Sequence, residues 1–171
     1  FELMEFGTNA HTMIANQTFF GIQVLEATNT QRAARVSTQF DKVNATLADV
    51  TGLSVTVSGT RTYGFRAYLF LDADATGGIK LAISGTATAS AVRYDIHAWD
   101  IGAPGADRIT ARHSALSSSS TAAGQTSYKA VIEGTITTSA GGTLTVQFAQ
   151  STANGTSSVL VGSTLIAEVI S

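Results

Sequence analysis

Cysteine is absent from this 171-residue chain, proline occurs once, and only 13% of the residues are charged. Without a thiol there is no disulfide, no thiolate nucleophile and no cysteine-based zinc site, so packing and subunit contacts must supply stability. The lone Pro104 sits in the loop sequence Gly102-Ala103-Pro104-Gly105, which leaves every other segment free to join a β ladder. An ordinary soluble domain carries about 25% charged residues. A chain with so few implies a surface largely covered by partners. Its net charge of -2 and its scattered arginines argue against a nucleic-acid partner. Long apolar runs are missing too: Ala67 to Leu71 and Ser163 to Ile170 fall far short of the roughly 20 residues of a spanning helix, so no membrane insertion is expected. Nothing at the start resembles a signal peptide, and a first residue of Phe1 suggests processing or a longer parent polypeptide.

What the chain does have is threonine, valine, isoleucine and alanine at a period of two from Leu47 onward. The alternation predicts strands near 53–58, 61–72, 78–85, 91–100, 107–114, 126–138, 142–150 and 157–170. Turn residues separate them, at Ser58-Gly59-Thr60, Ala75 to Gly78, Ile101 to Gly105, Ser117 to Ser120, Ala140-Gly141-Gly142 and Ala153-Asn154-Gly155. The pattern is that of an all-β, two-sheet antiparallel jelly-roll sandwich. Residues 1–44 differ in texture, holding both methionines and a polar stretch from Ala27 to Gln39, and are expected to form an extended N-terminal arm before a jelly-roll domain at 45–171. The run Thr18 to Glu26 is extended in character, either a strand offered to a neighbouring sheet or the first strand of the domain itself.

The alternation also assigns faces. Phe65, Ala67, Leu69 and Leu71 oppose Arg66, Tyr68, Phe70 and Asp72, while Val92, Tyr94, Ile96 and Ala98 oppose Arg93, Asp95, His97 and Trp99. Large apolar groups on both faces predict that one sheet is buried a second time, between subunits. A homotrimer is expected, with Arg66, Tyr68, Phe70 and Glu133 as interface or ion-pair candidates.

Six blocks carry a family likeness: Thr46 to Ser54 (TLADVTGLS), Thr62 to Phe70 (TYGFRAYLF), Gly78 to Gly85 (GIKLAISG), Ala130 to Ile136 (AVIEGTI), Gly142 to Ala149 (GTLTVQFA) and Leu160 to Leu165 (LVGSTL). In this order and spacing the chain resembles the TNF/C1q-like jelly roll, and more closely the version found in phage tail-fibre, receptor-binding and decoration proteins. The resemblance implies a sandwich with one sheet lining a threefold axis and a role on the virion surface. It brings no catalytic residues and no cofactor.

The residues offer little chemistry of their own. Asp95 and His97 share a strand face in Asp95-Ile96-His97-Ala98-Trp99-Asp100, the arrangement of a carboxylate-oriented imidazole, but no third ligand or nucleophile stands nearby in sequence. A hydrogen-bonded pair at an interface or rim is the plainer reading. Asp72 and Asp74 lie in a Gly-rich stretch but lack the further oxygen ligands of a calcium loop. No serine sits in a Gly-x-Ser-x-Gly elbow, and the Gly-rich loops lack a P-loop lysine. Glu133, between Ile132 and Gly134, needs a partner if buried, and Arg66 or Lys129 is positioned to be one.

The expectation is therefore a non-enzymatic, homotrimeric module of a bacteriophage tail that serves host attachment. Its loops at 73–77, 101–106 and 115–124 would meet a host glycan or protein, with Tyr94, Trp99 and Tyr128 as weak candidates for ligand stacking. The alternative is a capsid decoration protein whose trimers hold the head shell through residues 1–44.

Overall fold

The computed structural model describes residues 31–102 and 107–171, and every described element is a strand or a turn. The strands are β1 (Gln31–Arg35), β2 (Phe40–Lys42), β3 (Ala48–Val57), β4 (Arg61–Asp72), β5 (Ile79–Ser84), β6 (Thr88–Asp100), β7 (Asp107–His113), β8 (Ser119–Ala122), β9 (Ser127–Ala140), β10 (Gly142–Ala149), β11 (Ser157–Val159) and β12 (Thr164–Val169).

Strand pairing defines the topology. β1 pairs with β12, β2 with β11, β3 with β10, β4 with β9, β5 with β8 and β6 with β7, all antiparallel. These nested pairs make one long hairpin that turns between β6 and β7. Rolled up, that hairpin also has the lateral pairs β10–β5, β12–β4, β11–β4 and β6–β9. A hairpin rolled in this way is a jelly roll, the fold class expected from the alternation. The larger sheet runs β1-β12-β4-β9-β6-β7 with β2 and β11 beside it; the smaller runs β3-β10-β5-β8.

The core lies between the sheets. Phe65, Leu69, Leu71, Tyr94, Ile96, Ile132 and Leu165 from the larger sheet meet Leu53, Val55, Ile79, Leu81, Ile83, Leu144 and Phe148 from the smaller. Each such side chain contributes about 1.5–3 kcal/mol through burial. Two glycines set how closely the strands approach. Gly52, at φ 88°, lies where a Cβ would stand 2.7 Å from the Arg35 carbonyl oxygen, so β3 closes against β1. Gly134 lies under the tilted Phe65–Tyr94 ring pair, where a Cβ would meet Tyr94 Cα at 2.6 Å.

Three expectations are corrected. The stretch 31–44 is not an arm: β1 and β2 are laid into the larger sheet, and Val36 between them is fully buried. The sandwich thus begins at least as early as Gln31, while residues 1–30, including Thr18 to Glu26, lie outside the described residues. Ser117 to Ser120 is only partly a turn, since β8 starts at Ser119 and pairs with β5. The single strand expected at 157–170 is two, β11 and β12. Gly162, at φ 92°, turns the chain between them, and buried Ser163 accepts a hydrogen bond from the Phe70 N–H at 3.0 Å.

Candidate interaction face

Register brings the outward residues of the larger sheet into rungs. One rung reads Ile166, Arg66, Glu133, Asp95, Arg112 across β12, β4, β9, β6 and β7. The next reads Thr164, Tyr68, Val131, His97, Thr110, and the third Phe70, Lys129, Trp99. On the other side of the charged rung come Glu168, Gly64, Thr135 and Arg93. Sequence alternation places Arg66, Tyr68 and Phe70 on this face; only the register shows that Val131, His97, Trp99 and Ile166 complete an aromatic and aliphatic surface beside them.

In the charged rung two carboxylates, Glu133 and Asp95, stand directly opposite each other, an arrangement that is destabilising by itself. Each turns to its own arginine. Arg66 Nη2 lies 2.8 Å from Glu133 Oε2 and its Nε donates to the same oxygen at 2.9 Å. Arg112 grips Asp95 with Nε and Nη2 at 2.8 and 2.9 Å. This two-point hydrogen bond holds the Asp95 carboxyl below the usual carboxylate range. Arg66 also donates to the Tyr68 hydroxyl at 3.3 Å and lies 5.9 Å from that ring's centre. The hydrogen bonds to Tyr68 and Glu133 raise the guanidinium's pKa.

Both Asp95 oxygens are thus engaged by Arg112, and His97 instead stacks on Trp99, with ring centres 6.1 Å apart and planes at 16°. The carboxylate-oriented imidazole considered from sequence is not formed. A tyrosine and a phenylalanine nevertheless remain open, Tyr68 at 37% and Phe70 at 43% exposure, with Val161 close by at the turn bonded to Phe70. Beside them lies an open depression of about 650 Å³ floored at Gly64 and lined by Gln31, Arg66, Tyr68, Asp95, Glu133, Thr135, Ile166 and Glu168.

Of the three stacking candidates, only Trp99 faces outward. Tyr94 and Tyr128 are core residues, buried by the inward phase of β6 and β9, and are closed to a ligand. The Tyr94 hydroxyl donates to the Ser118 carbonyl at 2.7 Å, and its ring contacts His113. Burial pushes its pKa up to about 12. Asp72 and Asp74 diverge. Asp74 accepts from the Thr76 and Gly77 N–H groups at 2.9 and 2.7 Å and so shapes the loop, whereas Asp72 ends β4 on the outer face. Among the described residues no group of three or more His, Asp or Glu side chains is placed to hold a metal ion.

No family model matches the chain, and no curated protein does. Among solved structures it is similar to Eiger TNF from S. frugiperda, at 13% identity over 82% of this chain and 92% of that one, with a TM-score of 0.44. It is also similar to the VP2 subviral particle of infectious bursal disease virus, at 14% identity over 83% of this chain and 42% of that one, with a TM-score of 0.21.

Proposed function

We propose that this chain is a non-enzymatic, homotrimeric building block of a phage virion surface, placed in the tail where it serves host attachment. The observation that carries the assembly is the outer face of the larger sheet, where Ile166, Tyr68, Phe70, Val131 and Trp99 form one surface on a chain with unusually little charge. Side chains of that type in a contiguous patch mark a protein interface. The phage setting rests on the six sequence blocks described above. A structural rather than catalytic role is supported by the chemistry of the face, whose two central carboxylates are both tied up by arginines.

Two measurements test the proposal. Light scattering of the purified chain at micromolar concentration should give the mass of three chains. Densitometry of a purified particle then locates the trimer: a copy number like that of tail proteins supports attachment, and one like that of the shell protein moves the same trimer to the head. Binding of the isolated trimer to host cells tests attachment itself, and a trimer that binds none contradicts it.

A further inference from the structure

We infer that subunits meet head to tail across the larger sheet, with Arg93 of one copy docking against Glu168 in the depression of the next. The inference rests on the trimer proposed above and names the contact that orients it. Arg93 and Glu168 lie on one rung, Glu168 on β12 and Arg93 on β6, separated by Gly64 and Thr135. Three strand spacings put them roughly 14 Å apart, too far to pair within a subunit.

Both are exposed, and neither has an ion-pair partner among the described residues, in contrast to Arg66, Glu133, Asp95 and Arg112 on the neighbouring rung. Along this rung the face therefore carries an unused positive charge at its β6 end and an unused negative charge at its β12 end.

The depression at the β12 end suits a guanidinium. Its lining holds the unpaired carboxylate of Glu168 beside the Arg66–Glu133 pair and the Asp95 carboxylate that Arg112 engages, and Gly64, next to the Ile170 side chain, adds no side chain of its own. Arginine is the side chain suited to such a site, since its planar fork can engage a carboxylate while its stem lies on the apolar wall of Ile166 and Tyr68. A contact of unlike patches is heterologous, and it satisfies every copy only if the chain of contacts closes into a ring. The second copy is thus the occupant that the charges call for.

Charge reversal tests this on the full chain. Arg93→Glu and Glu168→Arg should each weaken assembly by about tenfold or more at low salt, and the double variant Arg93→Glu/Glu168→Arg should restore it. Sedimentation gives the assembly constants, and circular dichroism on each variant verifies that the sandwich is intact. Single variants that assemble like the parent overturn the inference, as does a double variant no better than the singles. A parent chain that is monomeric overturns the trimer reading itself, so the two failures are distinguishable.

Discussion

The two outer faces of this sandwich are built from the same kind of strand and are chemically opposite. On the smaller sheet the outward residues are short and polar, and they satisfy one another: Ser54 with Thr145 at 2.8 Å, Thr86 with Thr143 at 3.2 Å, and Gln147 donating to Asp49 at 2.8 Å. Lys80 reaches the Ala45 carbonyl at 2.9 Å. On the larger sheet the outward residues are Tyr68, Phe70, Val131, His97, Trp99 and Ile166 around a rung of paired charges. A face that meets only water needs hydroxyls and small side chains; a face that meets a partner keeps large apolar groups despite the cost of exposing them. The contrast supports the outer face of the larger sheet as the surface proposed to meet a partner.

The contrast breaks most visibly if the apolar face is charged. The double substitution Tyr68→Glu/Phe70→Glu is expected to weaken trimerisation by about 4 kcal/mol, roughly a thousandfold, since each ring is of the type that dominates interfaces. The matched pair Thr51→Glu/Thr121→Glu on the smaller sheet should leave the mass unchanged. Sedimentation of both variants at equal concentration makes the comparison, and equal losses would erase the distinction between the faces.

Gly134→Ala sharpens the account of how the larger sheet is framed. A Cβ there collides with the Arg93 carbonyl oxygen and crowds the Tyr94 backbone, so denaturant unfolding should show a loss of about 1–3 kcal/mol. Tyr94→Phe separates the inward from the outward side of β6. The buried hydroxyl has its pKa raised from 10.0 to about 12 in the folded chain, so the contribution of its neutral form is complete below pH 10 and is lost as pH rises from 10 to 12. The parent should lose stability over that window more steeply than the phenylalanine variant.

On the smaller face, Ser54→Ala leaves the Thr145 hydroxyl, itself nearly buried, without its partner and should cost about 1 kcal/mol of monomer stability. Glu133→Ala is the mildest change. The side chains of the Arg66–Glu133 pair are about half exposed, 54% and 45%, so the melting temperature should barely move. A large drop in thermal stability would show that the pair holds strand register within the subunit.

The fold was legible where burial repeats every second residue. Strands β4, β6, β9 and β10 alternate apolar with polar groups over long runs, and their core faces follow directly. β1, β2 and β8 escaped because they are short and mostly polar: Gln31 to Arg35 and Ser119 to Ala122 place no fully buried side chain in the core. Their place in the sheets comes from backbone pairing at edges, which leaves little trace in composition. The face was half legible. Alternation along β4 separates Tyr68 from Leu69, but only sheet register joins Tyr68 to Val131 and His97, or gives Asp95 to Arg112 rather than to His97. Tyr94 and Tyr128 show the hazard of reading an aromatic residue by type, since their inward phase with Ile96 and Ala130 makes them core.

The central claim is that the outer face of the larger sheet is covered by further copies of the same chain. Light scattering of the 171-residue chain at micromolar concentration tests it most directly. The account predicts a particle of three 17.6 kDa chains that falls apart when Tyr68 and Phe70 are both replaced by glutamate. A parent protein with the mass of a single chain would contradict it.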